Sequence, residues 1–156
     1  MDTTTAKETF SLVSVLAKQE EVVFVVLHVT NTVGKIISQN VYWMHPRHDY
    51  TSLSQMKPAK VQVKLISTVK EKTDYKYTLE FTNSLDQLAF FINPQLMLNN
   101  EEIMPCFWSN NYFSLSSHES IMVTVNCPLS KLNGSQLMLM TSGWNVAKQE
   151  MMLMSK

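Results

Sequence analysis

The sequence predicts an all-β chain on three observations. Apolar and polar residues alternate with period two along most segments, the apolar runs are rich in β-branched residues, and no segment carries a 3.6-residue apolar period. At 156 residues the chain is one ordinary domain, or one domain plus a fragment of another. Its 13 basic and 13 acidic side chains cancel, so neither nucleic acid nor an anionic membrane is an expected partner. No apolar run approaches the roughly 18 to 20 residues of a membrane span. Met1-Asp2-Thr3-Thr4-Thr5 lacks the basic and apolar regions of a signal peptide, and a soluble chain is expected.

The elements follow in order. Segment 10–17 reads as a first strand. The run from Val22 to Leu27 is apolar on both faces, as in a strand covered from two sides, and gives a strand over 21–30. Gly34 marks the turn into 36–43. Alternation then stops at His45-Pro46-Arg47-His48-Asp49-Tyr50 and stays broken to Lys57-Pro58, where two prolines withhold ladder donors. This break divides the chain into 1–45, a linker over 46–58, and 59–156.

Beyond the break, Val61, Val63 and Leu65 alternate with Gln62 and Lys64 in a strand over 60–69. From Tyr75 to Thr82 the odd positions are apolar or aromatic and the even ones polar, which is the clearest strand, 74–82. Further strands are expected at 88–98, 103–108, 119–126, 136–142 and 144–153. Asn93-Pro94 implies a bulge or an open edge within 88–98, because proline cannot donate to a ladder. Asn133-Gly134 is the expected hairpin turn, and Gly143 punctuates the start of the last strand. Seven short strands with turns between them suit an immunoglobulin-like β-sandwich. The three strands before the break are too few to bury a two-sheet core.

Little in the chain suggests chemistry. Hydrolysis by a pair of carboxylates needs them held a few ångströms apart across the bond to be broken. Glu20-Glu21 precedes a strand and Glu101-Glu102 follows Asn99-Asn100 in an expected turn, so both pairs read as solubilising. His45 and His48 stand three apart, but Pro46 denies them a helix and no third histidine or cysteine is near. They read as exposed linker residues, with no metal expected; His28 lies in the apolar strand and His118 in a turn. No nucleophile elbow is present, and with only three glycines no phosphate cradle and no cofactor are expected. Cys106 and Cys127 could bridge only if their strands lie adjacent or face each other across a sandwich, which spacing alone does not show; they are expected as free thiols filling core space. Met138, Met140, Met151, Met152 and Met154 interleave with strand sequence and read as core or sheet-face filling.

The aromatic residues invite closer weighing. Trp108 stands beside Ser109, Asn110, Asn111 and Tyr112, a mixture able to grip a sugar ring. The preferred alternative is that Trp108, Tyr112 and Phe113 pin an irregular crossover between sheets. Trp144 is expected to cover one end of the core, and Trp43 and Tyr50 to make interdomain contacts.

Together, Pro105-Cys106-Phe107-Trp108-Ser109-Asn110-Asn111-Tyr112-Phe113-Ser114-Leu115, Glu119-Ser120, Ser38-Gln39-Asn40-Val41-Tyr42-Trp43, Asp49-Tyr50-Thr51-Ser52-Leu53, Ala89-Phe90-Phe91-Ile92 and Ser142-Gly143-Trp144-Asn145 carry a family resemblance. The chain resembles the C-terminal region of family two glycoside hydrolases of the β-mannosidase and exo-β-glucosaminidase type. That resemblance implies an immunoglobulin-like domain rather than the catalytic barrel, so no catalytic glutamate carries over. It also implies that Ser38 to Trp43 is the closing strand of a preceding sandwich, so residues 1–45 are expected to be the last strands of that neighbouring domain, with the chain starting inside it. Where relatives commonly show Ser-Asp-Asn-Tyr, this chain has Ser109-Asn110-Asn111-Tyr112, which removes a carboxylate.

The resulting expectation is a noncatalytic accessory domain that packs beside the absent catalytic and neighbouring domains of a parent glycosidase. The parent's compartment is left open, with a secreted or periplasmic protein one reading. A second reading is a carbohydrate-binding module using Trp108 and Tyr112. A third is a homodimer formed through the N-terminal strands, whose edges would seek a partner. Asn133-Gly134-Ser135 also matches a glycosylation acceptor, although a plain hairpin explains it more simply.

Overall fold

Alternation in the sequence becomes paired strands in two compact units, Met1–Met56 and Lys57–Lys156. The computed structural model describes residues 10–128, 130 and 137–153. The Asn133-Gly134 turn, the Asn133-Gly134-Ser135 acceptor and Met154 lie outside the described residues.

In the first unit, β1 (Val23–Thr30) and β2 (Ile36–Met44) form an antiparallel hairpin. The turn closes because the Asn31 Oδ1 accepts the N–H groups of Val33 and Lys35, at 3.1 and 2.9 Å, while Gly34 takes φ +79°. Segment 10–17, expected as a strand, instead carries one helical turn, α1 (Val13–Leu16). Among the described residues no strand pairs with it. Its backbone is satisfied locally, Val15 and Leu16 N–H donating to the Leu12 carbonyl at 3.1 and 2.9 Å.

His45, expected in the open, is buried at 5% exposure. Its Nδ1 accepts the N–H groups of Asp49 and Arg47, at 3.0 and 3.3 Å, and its Nε2 lies 3.1 Å from the Glu20 carbonyl. That set of partners places the ring proton on Nε2, so the imidazole is a structural clasp. His48 is exposed, as expected. The stretch expected as linker holds a short 3-10 helix, Thr51–Gln55, that belongs to the first unit.

The second unit is an immunoglobulin-like β-sandwich. One sheet takes β3 (Val61–Lys70), β4 (Asp74–Asn83), β9 (Ser120–Pro128) and β7 (Phe107–Trp108) in the order β3-β4-β9-β7. The other takes β11 (Gln149–Leu153), β10 (Leu137–Ser142), β5 (Ala89–Leu98) and β6 (Glu101–Glu102) in that order, with β8 (Phe113–Leu115) also on β5. Apart from the added β6 and β8, these are the ABED and GFC sheets of a constant-type immunoglobulin sandwich.

Period two explains which faces meet. Tyr77, Leu79 and Phe81 of β4, and Val123, Val125 and Cys127 of β9, turn inward against Ile92 and Leu96 of β5 and Leu137 and Leu139 of β10. Each fully buried large apolar side chain contributes about 1.5–3 kcal/mol. Gln149 Nε2 donates to the Val61 carbonyl at 2.8 Å, and Ala59 bridges Val146 in parallel, joining the chain entering the first sheet to the segment that leads from β10 into β11 of the second.

Three expectations are corrected here. The strand expected at 103–108 is reduced to β7, because Pro105 offers no N–H to continue a ladder. Glu101 and Glu102, expected in a turn, form β6; the turn is Asn99-Asn100, with φ +52° and +67°, and Leu98 pairs with Glu101 across it. The last strand begins at Gln149 rather than 144, since the residues before it are taken up by contacts to β5 and Ala59. Of the two outcomes expected at Asn93-Pro94, an open edge is present, since pairing with β8 ends at Ile92 and pairing with β6 begins at Met97 among the described residues, whereas the register shift lies upstream, between Ala89 and Ile92, where Phe91 has φ +58°. β8 itself was not expected as a strand, since three residues are too few to show a period.

Candidate functional site

The segment from Phe107 to Leu115 leaves one sheet and enters the other, and its side chains divide accordingly. Trp108 sits on β7 opposite Val125, half-buried against the core. Ser109 holds it there: its N–H donates to the Thr124 carbonyl at 2.8 Å and its Oγ accepts the Thr124 N–H at 2.8 Å. Phe113, at the far end, is buried with its ring edge-on to Phe81, centroids 5.3 Å apart. These contacts match the reading of an aromatic crossover.

Between them the side chains turn outward. Asn110 and Asn111 are exposed, and Tyr112 is 52% exposed at φ +51°. The Tyr112 ring lies 5.2 Å from that of Phe91, which in turn lies 5.3 Å from Phe90. Trp108 and Tyr112 are thus near in sequence but anchored to opposite sheets. Trp43, opposite Phe24, and Tyr50, just before the short 3-10 helix, belong to the first unit and are 40% and 39% exposed. Trp144, expected to cover the core, is 57% exposed, and its backbone N–H donates to the Phe90 carbonyl at 2.9 Å.

Two asparagines that the sequence did not single out as site residues organise this region. Asn145 accepts the Phe90 N–H at its Oδ1, at 2.9 Å, and its Nδ2 donates to the Lys57 and Leu88 carbonyls, both at 2.8 Å. Asn83, fully buried, donates from Nδ2 to the Gln87, Leu115 and Ser116 carbonyls at 2.6, 3.2 and 3.0 Å. Its Oδ1 accepts the Leu85 N–H at 3.2 Å. Gly143 is required by space: a Cβ there would stand 2.9 Å from the Phe90 carbonyl oxygen. Most of the sandwich's family-like residues therefore gather where β5 begins.

The two adjacent acidic pairs, Glu20-Glu21 and Glu101-Glu102, are exposed. Glu102 Oε2 accepts a hydrogen bond from Gln95 at 2.7 Å. Asp86 and His118 meet at 3.0 Å on the surface. The Thr51 backbone N–H and hydroxyl donate to Asp49, at 3.0 and 2.7 Å, and hold its carboxyl below the usual range. A recess of about 260 Å³ in the first unit is lined by Glu21, Ser52, Gln55 and Met56 among others, with Glu21 its single carboxylate. Among the described residues no group of three or more His, Cys, Asp and Glu side chains could hold a metal.

Comparison with known proteins gives a consistent picture. The profile of the exo-β-D-glucosaminidase Ig-fold domain matches residues 40–146. An exo-β-D-glucosaminidase of Arthroderma benhamiae is 31% identical over 160 residues, covering 89% of this chain and 17% of that protein. One from Streptomyces avermitilis is 30% identical over 145 residues, covering 79% and 16%. The chain thus spans about a sixth of these curated relatives. Among solved structures, the exo-chitosanase CsxA of Amycolatopsis orientalis superposes with a TM-score of 0.71 at 22% identity, over 80% of this chain and 17% of that one.

Proposed function

Because the chain belongs to the exo-β-D-glucosaminidase Ig-fold domain family, we propose that it is a noncatalytic accessory domain of a glycosidase whose catalytic residues lie elsewhere in the parent. The observation that carries this reading is the family match over 40–146 in a chain that spans 17% and 16% of its curated relatives. The exposure of Glu20, Glu21, Glu101 and Glu102 supports it, since glycoside hydrolysis requires two carboxylates held across one bond. Of the two activities implied by the sequence resemblance, the names of the relatives favour terminal β-linked glucosamine over β-mannoside. The domain's contribution is a rigid β-surface against which the catalytic part packs.

Turnover of an aryl β-D-glucosaminide by the purified chain tests this. No hydrolysis above the buffer rate is expected, and hydrolysis that survives repurification would refute the noncatalytic reading. A second reading, a sugar-contact surface, rests on the exposed Tyr112 ring with Asn110 and Asn111 beside it. Titration with chitosan oligomers should then shift the Tyr112 ring resonances, and Tyr112→Ala should remove the response.

A further inference from the structure

Cys106 and Cys127 face each other at the margin of the first sheet. β7 pairs with β9 through Phe107 with Asn126 and Trp108 with Val125, so one step along this antiparallel ladder Cys106 stands opposite Cys127. Residues directly opposed in such a pair point to the same face, with Cα atoms about 4.5–5.5 Å apart. A disulfide spans Cα separations of about 4.4–6.8 Å. Both cysteines are thiols here, Cys127 buried and Cys106 partly open to solvent against the same core. A hydrogen bond from Cys106 to Cys127, helped by burial, pushes the Cys106 thiol far up. The same hydrogen bond pulls Cys127 down, so a single negative charge on the pair rests on the Cys127 sulfur.

We propose that Cys106 and Cys127 are a disulfide-forming pair that closes by exchange with a low-molecular-weight disulfide. Cys106, the thiol a small reagent reaches, gives its proton to the hydrogen-bonded Cys127 thiolate and, as the thiolate, attacks one sulfur of that disulfide. A mixed disulfide forms on Cys106, and the departing small thiolate takes up the proton now held by Cys127. The Cys127 thiolate then attacks the Cys106 sulfur and expels the second small thiolate, which takes a proton from solvent. Two protein thiols are oxidised and one small disulfide is reduced to two small thiols. The bond lies within one sheet, unlike the inter-sheet bridge of antibody domains.

Closure would act on a weak point of the sandwich. β7 is two residues long and holds to β9 by two ladder pairs. A covalent tie beside them would fix the start of the crossover that carries Trp108, Asn110, Asn111 and Tyr112.

The test equilibrates the protein in glutathione buffers of increasing oxidised fraction, traps free thiols by alkylation, and reads intact mass, peptide map and Tm. As the buffer becomes oxidising, a loss of about 2 Da is expected, with no glutathione retained. The map should show a Cys106–Cys127 linked peptide, and Tm should rise by about 10 °C. In Cys106→Ser or Cys106→Ala, whichever folds, the mass loss and the Tm rise should both vanish. Two alkylatable thiols at the most oxidising ratio would overturn the proposal. So would a stable glutathione adduct on Cys106, linkage between molecules, or closure that lowers Tm.

Discussion

Tyr77 shows how a residue can be placed correctly by pattern and still carry a cost that pattern does not reveal. Its inward position follows from period two, yet its hydroxyl is buried with no hydrogen-bond partner. Burial, with smaller contributions from Cys127, Tyr75 and Cys106, pushes its phenol from 10.0 to about 12. The folded state thus keeps a proton that the unfolded chain gives up first. The associated stability is complete below about pH 10 and is lost as pH rises toward about 12. Tyr77→Phe should flatten that alkaline limb and, near neutral pH, leave stability unchanged or raise it by about 1 kcal/mol in urea unfolding. Asn83 is the opposite case, its amide meeting four backbone groups. Asn83→Ala should cost about 3 kcal/mol, read from the urea midpoint, because it strands buried carbonyls. Neither asparagine clasp was legible as such, since Asn in sequence signals a turn as readily as a buried bracket. His45 was misread for a related reason: its partners are backbone groups, which leave no mark in the sequence.

Among the elements, the long strands were legible and the short ones were not. β3, β4, β9 and β10 each run long enough to repeat inward and outward several times, so burial writes itself into the residues. β6, β7 and β8 span two, two and three residues, and their positions are set by what they meet in space. The crossover from β7 to β8 could still be anticipated, because Trp108, Tyr112 and Phe113 are too concentrated for an ordinary loop. The start of β5 offers a sharp test of that packing. A Cβ on residue 143 would stand 2.9 Å from the Phe90 carbonyl, which is backbone and cannot rotate away. Gly143→Ala should therefore destabilise the sandwich by about 1–3 kcal/mol, measured by thermal unfolding. It should also perturb the amide resonances of Phe90 and Trp144, whose backbones meet at 2.9 Å.

At the scale of the whole molecule, family membership was read from residues that build the fold rather than from residues that perform chemistry. Phe90, Phe91, Tyr112, Trp144 and Asn145 make up much of the resemblance, and in the sandwich they meet around the start of β5. This is why fold and family were legible together while the candidate site was only partly so. The sheet margins have a further consequence, for recovery after denaturation. In the sandwich, β3 carries Lys64 and Lys70 and a register shift between Leu65 and Ser67, while β6 and β7 are two residues each. Such margins offer a stray strand little to grip. β1 and β2 contain no Asp, Glu, Lys or Arg, and Leu27, Val29, Ile36 and Ile37 are exposed. Misassociation during refolding at high concentration should therefore begin in the hairpin, and Val29→Lys should raise the soluble yield by light scattering while Lys64→Val lowers it. The two units then differ in a property that neither stability nor sequence identity measures: how safely each can pass through a crowded, half-folded state.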